Sequence, residues 1–478
     1  MRHLNVILSL ALAGPAWASG LDGPLVGTPV SGPLTTDAAA TWHNPAVLAR
    51  LQRPSALFGG ALVLAHIGYT RDRRGSYQRP DEFHIQAPVD PAALDPSLSG
   101  EADPVAATGV APLADGFFAM PLPGGGGVGL GVHTPYAAPV AYDDPQGAQR
   151  FALQEAFILM PHVTLGVGWR VHERVQVGFG GSLIVGVANF KTVQDFAALD
   201  EFGRALAGPP ASQPNSFGAD APTEVRQLDV LARPVSITDA TATNLTFHGG
   251  VAVQATDDLN VALTYHHGAE LVFDGDFALD MSDDFFTQDL SPVGLAYPAL
   301  ITGDARLALV LPKRIEAAAR WDATPAWAVE GRVEYVTWSD LKALTVALKS
   351  PQLAQPTFGL PDVSRADLPR RWQDAIHLSA LAHGQIAPGR LTVGLGYQSP
   401  ASPDATVDAA SPDGHRMSLQ GALDMPLSDA WSVVAHGTLQ FILPRTVTDS
   451  DYDLGNGTYQ MVVAGAGAHL KVAFGGAE

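Results

Sequence analysis

DAAATWHNPAVLARL, Asp37 to Leu51, begins as a helix that cannot run on. Asn44 precedes Pro45, and the residue before a proline is driven toward extended backbone. Pro45 suits the first position of a new helical turn, with Asn44 as its cap. The expected structure is a short capped helical piece, a break at Asn44-Pro45, and a second turn through Ala46 to Leu51. The surrounding residues, Ser19 to about Gln52, are rich in Gly, Pro, Thr and Ala and show no period of two. That texture suits a compact irregular plug better than a wall strand.

Upstream, MRHLNVILSLALAGPAWASG carries a weak basic start (Arg2, His3), an apolar run from Val6 to Ala13 and the small-x-small site Ala16-Trp17-Ala18. This is the pattern of a cleaved export signal over residues 1–18. Downstream, the texture changes near Ser55 and stays changed. Segments alternate apolar with polar or small residues, the signature of half-buried strands. QVGFGGSLIVGV (Gln176 to Val187), WAVEGRVEYVTW (Trp327 to Trp338) and WSVVAHGTLQF (Trp431 to Phe441) are the clearest.

About fourteen strands are expected, starting near Ser55, Leu113, Gly127, Phe151, Arg174, Thr243, Leu259, Asp304, Ala326, Trp372, Gly389, Ser411, Ala430 and Gly457. Their connections alternate between long and short. The long ones cover roughly 71–111, 136–150, 191–242, 276–303, 347–370, 400–411 and 444–456. The short ones fall near Pro123 to Gly126, Val171 to Glu173, Thr256 to Asp258, Thr324-Pro325, Ala387-Pro388 and Leu427 to Asp429. Short turns at one end and long loops at the other describe a transmembrane barrel. A soluble sandwich would not sort its loops this way.

Face parity points the same way. Trp327, Val329, Val333 and Tyr335 alternate with Glu330, Arg332 and Glu334; Ile315 and Trp321 alternate with Glu316 and Arg320. An apolar outside and a charged inside invert the soluble pattern and fit lipid. Trp169, Trp321, Trp327, Trp338, Tyr397 and Trp431 are expected in interfacial girdles. The fold class is therefore all-β: a transmembrane antiparallel β-barrel of about 14 strands spanning 55–478, with an N-terminal plug or hatch over 19–54 in its lumen.

Composition narrows the function. The 478 residues include no cysteine, which excludes disulfides and thiolate chemistry, and the formal charge of −20 argues against nucleic acid as a partner. His266 and His267 are adjacent on a strand, so their rings point to opposite faces and cannot share a metal. The run Gly124 to Gly127 is a turn, because no helix follows it to cradle a phosphate. No G-x-S-x-G elbow is present. No catalytic residues, metal or cofactor are expected, and the protein is read as no enzyme.

The segment around Asp37, Asn44, Pro45 and Ala46 resembles the plug of the outer-membrane long-chain fatty-acid and hydrophobic-compound transporters, the FadL/TodX (OMPP1) family. LADGFFAMPLPGGGGVGLGVHTPY (Leu113 to Tyr136) is similar to that family's Gly-rich third strand and its preceding hairpin. LPKRIEAAARWDATPAWAVEGRVEYVTWSDLKAL (Leu311 to Leu344) and the segments from Trp372 to Leu423 follow in the family's order. Gln373, before Asp374, departs from an often basic family position. The chain also continues past Phe474 through Gly475 to Glu478, where the family usually ends on an aromatic residue.

The resemblance implies a bacterial outer-membrane protein, a monomer inserted by the barrel-assembly machinery among outer-membrane lipid and lipopolysaccharide. It would take up long-chain fatty acids or other lipophilic small molecules by passive diffusion, through an outer groove, a plugged lumen and a lateral opening at strand 3. Gly124 to Gly131 and Pro135 could kink that strand. Two long loops are unusually apolar, and Phe190, Phe196, Leu199, Phe202, Phe277, Phe285 and Phe286 are candidate groove residues. Arg320, Arg332 and Arg416 are lumen candidates for a ligand carboxylate, with pairing to Glu316, Glu330 or Glu334 the alternative. A structural or adhesion barrel and a general porin are the rival functions. Protease added to whole cells should cut only in the long loops; cleavage at Val171 to Glu173 or Leu427 to Asp429 would reverse the orientation.

Overall fold

The computed structural model describes residues 26–72, 103–195, 232–289, 291–294, 297–356, 361–450 and 455–475. The expected signal peptide, the start of the expected plug (19–25) and residues 476–478 of the tail lie outside them.

Alternating sequence becomes strand from Ser55 onward: β1 (Ser55–Arg71), β2 (Val105–Leu122), β3 (Gly126–Tyr142), β4 (Glu155–His172), β5 (Val175–Asp195), β6 (Ala232–Gln254), β7 (Leu259–His266), β8 (Ala269–Asp280), β9 (Leu300–Leu311), β10 (Arg314–Thr324), β11 (Trp327–Val336), β12 (Ala343–Lys349), β13 (Val363–Pro369), β14 (Ala375–Ile386), β15 (Gly389–Gln398), β16 (Arg416–Pro426), β17 (Trp431–Val447) and β18 (Gly457–Ala473). Fourteen of them close a ring. β1 to β7 pair in sequence, β7 pairs with β10, β10 with β11, β11 with β14, and β14 to β18 lead back to β1, all antiparallel. Closure leaves no edge, the condition for a sheet to survive in lipid.

The remaining four strands were not foreseen. β8, β9, β12 and β13 extend the wall beyond the ring at the long-loop end, with β6 pairing to β8, β8 to β9, β9 to β12 and β12 to β13. Each continues a ring strand across a short break: 267–268, 312–313, 337–342 and 370–374. Proline at 312 removes a ladder donor at one break. At another, Asp340 accepts from Lys313 Nζ (2.7 Å) and Thr337 Oγ1 (2.6 Å) and pins the turn. Strand length in the sequence did not reveal these breaks, because the apolar alternation resumes on the far side. β2 and β6 also start earlier than expected, at Val105 and Ala232.

The lipid-facing side carries the large apolar residues. Phe58, Leu165, Phe179, Val329, Leu395 and Leu419 are exposed, while Glu330 on the other face is 4% exposed. Trp169, Trp321, Trp327 and Trp431 form the girdle at the short-turn end. Tyr265, Tyr335 and Tyr397 mark the other: Tyr265 and Tyr397 bond to His267 (2.7 Å) and His415 (2.8 Å), and Tyr335 donates to Asp374. Trp327 to Tyr335 covers about 27 Å of strand, enough for the apolar band once tilt is included.

Trp338 is a correction. Its side chain is fully buried, packed edge-on against Trp372 at 5.3 Å in the core beneath the outer strands, and it takes no part in a girdle. Its place near a strand end suggested the girdle, but its even number sets it on the inward face with Glu330, Arg332 and Glu334, and the chain leaves the ring at Thr337. Truncating a buried indole costs about 3–5 kcal/mol. Trp338→Ala should therefore open the outer strands to limited proteolysis while the ring keeps its heat-modifiable gel mobility. Unchanged protection would mean that the outer strands do not depend on this core.

Candidate functional site

The N-terminal residues fold as read from their sequence: an α-helix over Ala40–His43, then a 3-10 turn over Pro45–Arg50 capped by Asn44, whose Oδ1 accepts from Ala46 N at 3.2 Å. Apolar faces of both pieces pack with Leu57, Phe117, Ala119, Ala252, Ala262 and Ala318, inward-facing residues of β1, β2, β6, β7 and β10. The segment thus lies inside the ring, in contact with several parts of its wall.

Polar contacts fix it from all round. Arg332 on β11 donates to the Ser31 and Val30 carbonyls (2.7 Å each) while its Nε meets Glu330 at 2.6 Å. Asp115 on β2 accepts from Gly27 N at 2.8 Å, and His469 on β18 holds the other carboxylate oxygen at 2.9 Å. Lys471 bridges Asp37 (3.1 Å) and Asp424 (3.0 Å). Asn44 Nδ2 donates to Pro33 O and Val251 O, and Arg50 reaches Gln176 and Asn260. Breaking a buried pair such as Arg332–Glu330 costs about 3–5 kcal/mol.

Trp42 sits among four wall imidazoles. His133, His162, His248 and His266 lie 4.6, 5.5, 5.5 and 4.5 Å from it, centroid to centroid, and His248 stacks on His266 at 5.1 Å. His248 also bonds to Thr41 O at 2.9 Å. Burial pushes the segment's own His43 down to about 4, so its ring is neutral at pH 7 and its Nε2 donates to Val26 O. His267 is on the outer face, stacked on Phe247 at 4.4 Å, so the adjacent pair is divided between lumen and lipid as expected. Nothing in a single His marks this cage; inward parity of His133, His162 and His248 was the available signal.

Two cavities flank the N-terminal segment. One, of about 220 Å³, is lined by Trp42, Pro135, His266, Glu316, His377 and Arg416 among others. The other, of about 550 Å³, opens toward the short-turn end beside Asp37, Arg50, Arg390 and Lys471. Of the arginine candidates, Arg320 pairs with Asp322 at 3.0 Å, and Arg332 is held by Glu330 and the segment's carbonyls. Only Arg416, 3.1 Å from Gln440, lines the inner cavity. Phe190, Phe277 and Phe286 are buried together in the outer core, and the Phe286 ring meets Arg233 and Tyr297. Phe196, Leu199 and Phe202 lie outside the described residues, as does the Phe285 side chain.

The wall itself is incomplete at one place. β2 and β3 pair from Gly116 to Leu122 and again at Ala107 and Thr108, but Gly109 to Asp115 have no partner on β3. On its other side β3 carries one extra residue against β4 between His133 and Tyr136, a bulge that contains Pro135. Pro112 and Pro139, which cannot donate, fall within the unpaired window.

Wall glycines make room for the segment. A Cβ at Gly178 would stand 2.1 Å from Ala46 N, and one at Gly168 2.1 Å from Pro45 O. Gly178→Val should dislodge the 3-10 turn and raise ion conductance in planar bilayers without loss of the folded ring. Conductance equal to the parent's would show that the turn does not restrict the lumen.

The sequence matches the profile of the outer membrane protein transport protein family (OMPP1/FadL/TodX) over residues 22–422. No curated protein matches it by sequence. In fold it is similar to a Pseudomonas aeruginosa FadL homologue (18% identity, 96% of this chain and 100% of that one, TM-score 0.72). It is also similar to the P. putida toluene transporter TodX (13%, 98% and 100%, 0.63) and the Ralstonia pickettii toluene transporter TbuX (13%, 97% and 99%, 0.59).

Proposed function

This chain belongs to the OMPP1/FadL/TodX family of outer-membrane transport proteins, and from that membership we propose that it passes hydrophobic small molecules by diffusion through an opening between β2 and β3. As a member it is an outer-membrane barrel that carries hydrophobic compounds, and it is no enzyme. The observation that carries the lateral route is the position of Pro135, which belongs both to the β3 bulge and to the lining of the inner cavity. A molecule in that cavity lies next to the stretch of wall with no ladder to break.

In this reading Asp37 to Leu51 is the plug: with a cavity on either side, it keeps the straight path to the periplasm shut and leaves the side path as the easier exit. That favours a lateral channel over a general porin. At the outer mouth, the core around Phe190, Phe277 and Phe286 parts to admit the ligand. The protein works as a monomer, assembled by the barrel machinery and surrounded by lipopolysaccharide on its outer leaflet.

Two substrate classes are in play: long-chain fatty acids, and the monoaromatic compounds named for the toluene transporters. The size of the inner cavity favours the second. A cavity near 150 Å³ takes up benzene, so about 220 Å³ admits one ring with a short side chain, whereas a long acyl chain would enter only in part.

Ala137 packs against Ala111 and Leu113 across the unpaired window, and the chain has no cysteine of its own. A disulfide between Ala111→Cys and Ala137→Cys should abolish uptake of labelled toluene by whole cells, and reduction should restore it. Uptake that survives complete cross-linking would eliminate the lateral route.

A further inference from the structure

Building on the channel reading above, we propose that the inner cavity recognises a hydroxyl group on its aromatic ligand, with Glu316 as the acceptor, so that the preferred cargo is a phenol. Glu316 lines the cavity from β10. Among the described residues its carboxylate has neither a hydrogen-bond nor an ion-pair partner. The neighbouring charges are matched to one another. Arg314 holds Glu334 through two bonds of 2.5 and 3.0 Å, His377 Nδ1 meets the same carboxylate at 2.8 Å, and Arg332 is paired with Glu330. Glu316 is the acceptor left over.

Its surroundings say what can fill the vacancy in its bonding. Glu316 stands directly across from Glu334 in the β10–β11 register, so a ligand carboxylate beside it would face two carboxyl groups; of the two arginines that line the cavity, Arg314 is held by Glu334 and Arg416 bonds to Gln440 at 3.1 Å. A neutral hydroxyl meets no such repulsion, and it can pair with the Glu316 carboxyl group whether that group is ionised or protonated. Two further lining residues have buried nitrogens without partners, His266 Nδ1 and His377 Nε2. The His266 imidazole with its proton on Nδ1 can donate to the same hydroxyl oxygen, while His377, whose Nδ1 donates to Glu334, offers Nε2 as a further acceptor. A hydroxyl is the small group that both donates and accepts. Trp42 and Pro135 supply the apolar side, and an aromatic ring against the indole gains an offset or edge contact. A phenolic O–H is also a better donor than an aliphatic one.

The test is calorimetric titration of the full-length barrel in detergent with 4-ethylphenol, ethylbenzene and 4-ethylbenzoate. The parent should bind 4-ethylphenol about tenfold more tightly than either other compound, the scale of one buried hydrogen bond. Glu316→Leu should bind 4-ethylphenol no better than ethylbenzene, while Glu316→Gln, which keeps an acceptor, should retain part of the preference. Heat-modifiable mobility confirms that each variant is folded, and the glutamine variant serves alone where the leucine variant is not. Equal binding of 4-ethylphenol and ethylbenzene by the parent, or a preference that survives in Glu316→Leu, overturns the head-group assignment and leaves the channel standing. Failure of all three compounds to bind overturns the assignment and the small-aromatic reading together.

Discussion

In hydrocarbon every backbone N–H and C=O has to find its partner within the protein, since each one left unpaired costs several kcal/mol. The β1–β18 ladder is where this chain meets that demand, with pairing unbroken from Ser55 opposite Ala473 to Arg71 opposite Gly457. Without it the sheet would have two edges in lipid. Because the ring is otherwise closed, the interruption between β2 and β3 stands out as a chemical exception. The prolines at 112, 135 and 139 reduce its penalty, for a residue with no N–H leaves no donor stranded.

The same constraint orders the interior. A closed wall turns alternate residues inward, and in this chain many of those residues are charged or polar. Their pairing to each other and to the N-terminal segment is what makes the lumen a packed core on one side and a partly polar cavity on the other. Arg332 illustrates the division: one guanidinium satisfies a wall carboxylate and two carbonyls of the segment. Glu316, two residues along β10 from the position opposite Arg332, is left to the cavity.

Much of the ring was legible in the residues themselves. Period-two alternation with apolar residues outward marks strands in lipid however the loops are arranged, and the starts at Ser55, Leu259, Gly389 and Gly457 coincide with the observed ones. The break and cap at Asn44-Pro45 were equally legible, because both are local backbone effects. The four outer strands were not, since the same alternation continues across breaks such as 312–313. Trp338 was misplaced because an aromatic near a strand end reads as a girdle residue even where its parity is inward. The imidazole cage around Trp42 was hidden for another reason: His133, His162, His248 and His266 come from four strands, and only ring closure brings them to one indole. The role of Arg332 was half visible, as a partner for Glu330 but not as a tether for carbonyls thirty residues from the chain's start.

The N-terminal segment joins β1 through residues 52–54 alone, and that short link has a consequence for how the molecule comes to exist. The seam that closes the ring joins the first and last strands, so β1, the strand beside the segment, gains its second neighbour only when the end of the chain is in place. The segment is therefore enclosed as the cylinder shuts, with its tether already anchored in the seam. Gly168 and Gly178, which leave no room between wall and turn, then make the wall a mould for this one insert. Wall and insert form a matched pair, and Gly127 and Gly129, as close to Leu48 and Thr41, extend the fit along the segment.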